Sequence, residues 1–144
     1  MEFKYLTLGV ENKIAHLTIN RPAKANSMNE ESWNELKLAL EYCDDTPEVR
    51  VIVFSGAGDK LFCAGIDLQM LMSVGQKTED KCEGRKREKF RKLLLDFQEI
   101  ISTFEKINKP VLSAVHSGCI GAGLDMISAT DMRYCTADAY FCIK

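Results

Sequence analysis

Two short stretches of this chain put bare backbone where reactive side chains would ordinarily stand. In FCAGIDLQM, Phe62 to Met70, a small residue and a glycine precede an Ile-Asp-Leu turn into a short helix. In HSGCIGAGLD, His116 to Asp125, the glycines Gly118, Gly121 and Gly123 lie between a strand and a helix. Loops of this composition can aim free amide N–H groups at an anion or at a developing oxyanion. The second stretch reads G-x-x-G-x-G rather than G-x-G-x-x-G, and no Walker-type G-K-[S/T] is present, so a pyrophosphate cradle is weakly supported. Tight helix–strand packing would use the same glycines. Two such turns on one chain shift the balance, because two N–H donors from separate loops, converging on one carbonyl oxygen, are what an enolate-like oxyanion needs. Asp125 adds to this: an acid inside GLDMISA, at an otherwise apolar helix start, must be solvated, favoured by the helix dipole, or functional.

The remaining reactive residue types read as structural. His16 occupies the polar phase of a strand and His116 follows a buried one, and neither has a nucleophile beside it in a recognisable arrangement. Ser113 and Ser117 lack a nucleophile-elbow context. The six cysteines, Cys43, Cys63, Cys82, Cys119, Cys135 and Cys142, lie far apart with no C-x-x-C pair and no histidine near enough to complete a zinc site, so they read as reduced thiols, mostly core fillers. Between Lys77 and Lys92 eight Lys/Arg alternate with Glu79, Asp80, Glu83 and Glu88, the pattern of a solvated helix face or of a patch for phosphates. Asp67 reads as a cap of the helix after Ile66, and Asp131 with Arg133 as a structural pair.

At 144 residues, 46% hydrophobic and 28% charged, the chain suits one globular domain with a sizeable core. Its net charge of -2 offers no field for nucleic acid or an anionic membrane, and no apolar run approaches the ~18 residues of a membrane span. The N-terminus shows no targeting segment, which reads as a soluble intracellular protein.

The elements that must position these groups are legible in outline. Tyr5–Val10 and Ile14–Asn20 are strands joined by a tight ENK connection. Ser27 with Glu30 matches a capping box, and Trp33, Leu36 and Leu40 recur at helical spacing, which predicts a helix over about 29–43. Val49–Ser55 and VLSAVHS read as strands buried on both faces. Between them, Phe90, Leu93, Leu94, Phe97, Ile100, Ile101 and Phe104 form the apolar stripe of a long helix. A further helix runs to about Thr130, followed by short strands in MRYCT and AYFCIK. Strand–helix alternation implies an α/β fold with parallel pairing.

NRPAKANSMN, SGAGDKLFCAGIDL, KPVLSAVHSGCIGAGLD and ATDMRYCTADAYF, in this order from about Tyr5 to the last residue, resemble the enoyl-CoA hydratase/isomerase (crotonase) superfamily. AGIDL, with an aspartate where hydratases carry glutamate at the end of the glycine motif, most resembles the Δ3,5-Δ2,4-dienoyl-CoA isomerases of fatty-acid β-oxidation. Enoyl-CoA hydratases and Δ3,Δ2-enoyl-CoA isomerases are the rivals within the class, and a non-catalytic acyl-CoA-binding fragment is the rival outside it. The resemblance implies an α/β, crotonase-like ββα spiral. Residues 1–144 would form its N-terminal part, incomplete before the C-terminal helical region.

By the same resemblance, the backbone N–H groups of Ile66 and Ala122 form an oxyanion hole for the thioester carbonyl, and Asp125 is a site acid. Ala64, Gly65, Ile66, Asp67, Leu68 and Gly123 would line the CoA and acyl path, with Lys24 and Ala25 near the CoA. The implied partner is an acyl-CoA thioester, with no metal, no cofactor beyond that CoA, no nucleic acid and no membrane span. A homotrimer or hexamer in the mitochondrion or peroxisome is implied for the complete protein. Two departures stand out: Gly121-Ala122-Gly123 replaces a run of three glycines, and the two further carboxylates of the dienoyl-CoA isomerases would fall beyond Lys144. Apolar faces left without neighbours, and self-association through them, are the expected consequence.

Overall fold

Asn12 and Lys13 both take left-handed backbone (φ 51° and 68°) and close a two-residue turn. Such a turn matches the twist of the strands it joins, and β1 (Leu6–Glu11) folds back antiparallel on β2 (Ile14–Ile19) with Glu11 opposite Ile14. The computed structural model describes residues 2–144. After β2 come α1 (Glu30–Asp45), β3 (Val51–Gly56), β4 (Leu61–Cys63), α2 (Leu68–Lys77) and α3 (Glu83–Lys106). They are followed by β5 (Val111–Val115), β6 (Gly118–Ile120), α4 (Ala122–Ser128), β7 (Met132–Cys135) and β8 (Tyr140–Cys142).

Among the described residues the named strands beyond the first hairpin pair in parallel, in two sheets ordered β1-β2-β3-β5-β7 and β4-β6-β8. The chain therefore lays one strand in the larger sheet and the next in the smaller one, three times over. This is the expected ββα spiral. Of the smaller sheet only β8 is anticipated in the sequence reading, as AYFCIK; β4 and β6, three residues each, are too short to show a period.

Helix α1 begins one step away from the predicted capping box. Asn29, not Ser27, is the N-cap, its side chain accepting the Ser32 N–H at 2.9 Å. The 3-10 turn Pro22–Lys24 and the left-handed Ala25 and Asn26 turn Ser27 toward Arg21 instead, whose guanidinium binds its carbonyl and hydroxyl. From Asn29 the helix buries Trp33, Leu36, Ala39 and Leu40.

Strand β3 is not buried equally on both faces. Ile52 and Phe54 are fully buried, while Val51, Val53 and Ser55 are only half-buried. Phe54 is the hub of the core: its ring meets Phe62 of β4 edge-on at 5.5 Å and Phe104 of α3 at 5.1 Å.

The predicted stripe on α3 is buried only toward its C-terminal end. Ile100 and Phe104 are enclosed and Phe97 packs on Trp33 at 5.9 Å, whereas Phe90 and Leu94 are each 44% exposed. The reason is length: at 1.5 Å per residue, the 24 residues of α3 outrun the 16 of α1 by about 12 Å. The charged segment before and along its first turns forms Lys86–Glu79, Lys89–Asp80 and Lys92–Glu88 ion pairs on the surface. Pairs so exposed add about 0–1 kcal/mol each, consistent with a solvated face.

Asp131 and Arg133 do not pair with each other. Asp131 accepts the Val111 N–H at 2.7 Å at the start of β5, and Arg133 donates to the Ile127 and Thr130 carbonyls at the end of α4. Strands β7 and β8 are outermost in their sheets, and Met132, Tyr134, Tyr140 and Phe141 on them are about half exposed.

Candidate active site

Gly65 is where the two glycine-bearing stretches meet. Its backbone has φ +92°, and a Cβ built there would stand 3.0 Å from the Ile120 carbonyl oxygen and 3.6 Å from the Ala122 nitrogen. An L side chain would be strained there and crowded against the Ile120 carbonyl. The backbone of the loop after β4 thus lies close to the Ile120 carbonyl and the start of α4.

A second set of contacts determines which way the first loop faces. Ala64 N–H donates to the Ala25 carbonyl at 3.0 Å, Met28 N–H to Gly65 at 2.8 Å and Asp67 N–H to Met28 at 2.9 Å. These bonds form a short parallel bridge between Met28 and Ile66. Because the bridge occupies the polar groups on one side of the loop, the Ile66 N–H points to the other. Among the described residues it has no acceptor.

The Ala122 N–H is free for a different reason. Ala122 is the first residue of α4, so no helical carbonyl lies behind it, while Leu124 and Asp125 share the Gly121 carbonyl at 2.8 and 3.2 Å. Gly121 (φ 52°) is anchored by its own N–H to the Cys142 carbonyl at 2.9 Å. Alanine at 122 leaves this geometry intact, since only 121 needs positive φ.

Ile66 and Ala122 share one open cavity of about 780 Å³. Lys24, Ser27, Ala64, Gly65, Asp67, Leu68, Gln69, Leu71, Ile120, Gly121 and Lys144 complete its lining. Lys24 and Lys144 bring positive charge, and Leu68 and Leu71 bring exposed apolar surface.

Three residues singled out in the sequence stand elsewhere. Ala25 contributes its carbonyl to the loop bridge and lines a neighbouring crevice of about 60 Å³ with Pro22 and Asn26. Gly123 is on the buried face of α4, where an added Cβ would lie 2.9 Å from Cys63 Cβ and 3.3 Å from Cys119 Sγ, so it permits packing rather than contact with a ligand. Asp125 is exposed in the first turn of α4 and is not among the cavity-lining residues. Burial pushes the Cys63 thiol up to about 11 against a Gly65 N–H contact, and the Cys119 thiol to about 12, with Cys63 and Asp125 adding to the rise. Both thiols stay protonated at neutral pH and serve as packing.

Arg21 and Asn26 were not singled out in the sequence. Asn26, buried with φ 53°, donates to the Ala57 and Leu61 carbonyls at 2.8 and 2.9 Å and accepts the Arg21 N–H at 3.0 Å. The available signal was local: NRPAKAN offers an asparagine that tolerates left-handed backbone four residues after a 3-10 start at Pro22. Arg21 pairs with Asp67 at 3.1 Å, with side chains 10% and 12% exposed. Neither His16, exposed on β2, nor the half-buried His116 belongs to the cavity.

Burial alone would raise the Asp67 carboxyl, but hydrogen bonds from Arg21 and the Gln69 N–H, together with the Arg21 charge, hold it below the ordinary 3.8. A folded value below the unfolded one means stability that is present above about pH 4 and lost as pH falls through the folded value. The melting-temperature gap between wild type and Asp67→Asn should therefore be widest near neutral pH and close progressively below about pH 4. A gap independent of pH would show that the carboxylate charge contributes nothing.

Residues 9–144 match the sequence profile of the family described as enoyl-CoA hydratase/isomerase. The chain is 42% identical over 135 residues to a peroxisomal Δ(3,5)-Δ(2,4)-dienoyl-CoA isomerase of Arabidopsis thaliana, covering 93% of this chain and 48% of that protein. It is 40% identical over 134 residues to the mitochondrial enzyme of the same name from Mus musculus, covering 93% and 41%. Among solved structures, an enoyl-CoA hydratase/carnithine racemase from Magnetospirillum magneticum superposes with a TM-score of 0.85 at 25% identity, over 99% of this chain and 50% of that one. The chain thus spans about half the length of the curated relatives it matches, and throughout that span its sequence, α/β spiral and paired glycine turns make it a member of the enoyl-CoA hydratase/isomerase family.

Proposed function

We propose that this chain binds an acyl-CoA thioester with its carbonyl oxygen between the Ile66 and Ala122 N–H groups, and that the reaction served is the shift of a 3,5-dienoyl-CoA to its 2,4-isomer. The observation that carries this reading is the pair of unpartnered N–H groups on two loops in contact at Gly65. A thioester acidifies the carbon next to its carbonyl. Two preorganised donors stabilise the conjugated enolate left when that proton passes to a carboxylate, each by roughly 3 kcal/mol in comparable acyl chemistry. A carboxylate returning the proton further along the conjugated chain completes the double-bond shift without redox or metal chemistry, and Asp125 is our candidate for one such acid. Lys24 and Lys144 are suited to the CoA phosphates, and Leu68 and Leu71 to the acyl chain. The dienoyl-CoA isomerase relatives support this choice over hydration, and their peroxisomal and mitochondrial names support the same compartments here.

A second reading, that this polypeptide by itself binds acyl-CoA without turning it over, has its own support. The one carboxylate lining the cavity, Asp67, is held by Arg21, while Asp125 lies outside the lining. Calorimetric titration with 3,5-octadienoyl-CoA, alongside free CoA, separates the cases when combined with ultraviolet detection of the 2,4-dienoyl product. Binding with product supports the isomerase, and binding without product supports the second reading. Absence of binding defeats both.

A further inference from the structure

The loop that carries the Ile66 N–H is held by more than its backbone bridge. Asp67 sits one residue beyond Ile66 and uses its two carboxylate oxygens differently. Oδ1 accepts the Gln69 N–H at 2.9 Å, capping α2, and Oδ2 accepts from Arg21 Nη2 at 3.1 Å and from the Ser27 hydroxyl at 3.4 Å. Arg21 in turn spends its other terminal nitrogen on the Ser27 carbonyl and hydroxyl, and its guanidinium lies 5.1 Å from the centre of the Tyr5 ring. One part-buried ion pair thus joins a residue just after β2, the 25–28 loop and the start of α2.

We propose that Arg21 and Asp67 are positioning residues: their ion pair clamps the 64–67 loop to the 25–28 loop and so fixes the direction in which the Ile66 N–H points. The geometry requires some such device. Ile66 is outside any strand or helix and is 40% exposed, and beside it Gly65 adopts a backbone conformation open to few other residues. The bridge holds each side of Ile66 by a single backbone bond, Met28 N–H to Gly65 and Asp67 N–H to Met28, and the ion pair adds a side-chain tether at Asp67 to a third segment, at Arg21. A donor misaimed by a fraction of an ångström loses most of its effect on a developing oxyanion. The pair also ties the donor to the loop bearing Lys24, so the CoA-facing and carbonyl-facing parts of the cavity move as one body. The clamp can be tested on the chain without ligand, whereas its catalytic meaning rests on the acyl-CoA reading above.

The test uses Asp67→Asn and Asp67→Ser, which keep an acceptor for the α2 cap while removing the charge, and Arg21→Lys, which keeps the charge but cannot fork to Ser27 and Asp67 together. In the ligand-free chain, amide hydrogen exchange at Met28 and Asp67 should accelerate at least about tenfold in the Asp67 variants, with slow exchange in the β2–β3 ladder unchanged. Unchanged exchange at both amides overturns the clamp whether or not any acyl-CoA binds. With [1-13C]-labelled acyl-CoA bound, the carbonyl resonance of wild type should lie downfield of the free ligand, and the variants should return it toward the free value while affinity falls less than about fivefold. Lost affinity or melting temperature with the carbonyl resonance unmoved overturns a positioning role and leaves an ordinary structural pair. If wild type itself binds no acyl-CoA, the functional reading fails and the exchange data alone decide the clamp.

Discussion

Ala122→Pro is expected to abolish most of the polarisation of a bound thioester carbonyl and to lower any turnover by about 10²–10³-fold, the usual cost of removing one oxyanion donor. The substitution is chosen because α4 starts at Ala122. Proline at the first helical position costs a helix little, since the N–H it lacks has no helical acceptor anyway. Here that N–H is the proposed donor, and the proline ring would occupy its place in the cavity. The fold should therefore survive, with a melting temperature close to wild type, while the 13C resonance of a bound [1-13C]acyl-CoA moves back to its free position. Ala122→Gly, which restores an N–H and a three-glycine run, should leave both observables nearly unchanged. A folded Ala122→Pro protein that still shifts the carbonyl resonance would remove Ala122 from the site.

The largest effect on stability should come from Phe54→Ala, at about 3–5 kcal/mol for a fully buried aromatic truncated in a core that cannot collapse around it. Phe54 holds together elements far apart in sequence, with its ring between Phe62 of β4 and Phe104 of α3. Against a total stability of about 5–15 kcal/mol for a domain, such a loss brings the chain close to unfolding. Urea denaturation should show a lowered midpoint with an unchanged slope, and Phe54→Leu should recover much of the loss. Since Phe62 leads directly through Cys63 into the Ala64–Asp67 loop, acyl-CoA affinity should weaken in parallel. A destabilisation under about 1 kcal/mol would mean that the aromatic cluster is not the organising core described here.

How far these features were legible differs element by element. The hairpin, α1, β3, the long α3, β5 and the final strands follow from periodicity and turn chemistry, which act over a few residues. Where the reading strayed, a longer-range contact decided. Ser27 looks like a cap until Arg21 takes its carbonyl and hydroxyl and Asn29 caps the helix instead. Asp131 and Arg133 look like a pair until the start of β5 and the end of α4 each claim one of them. Phe90 and Leu94 complete a stripe in sequence, but α3 reaches beyond the helix it packs on, and they remain exposed.

By itself, the sequence determined the α/β class, the family motifs and the presence of two glycine-bearing turns, because each depends on residue type at short spacing. Only the tertiary structure decided that the turns meet at Gly65, that Ile66 and Ala122 face one cavity, that Gly123 lies on the buried face of α4 and that Asp125 lies outside the lining. It alone joined Arg21 to Asp67, 46 residues apart. The physical reason is that an amide donor carries no side-chain signature: its direction is set by which carbonyls the rest of the loop has already engaged, and those belong to strands and loops distant along the chain.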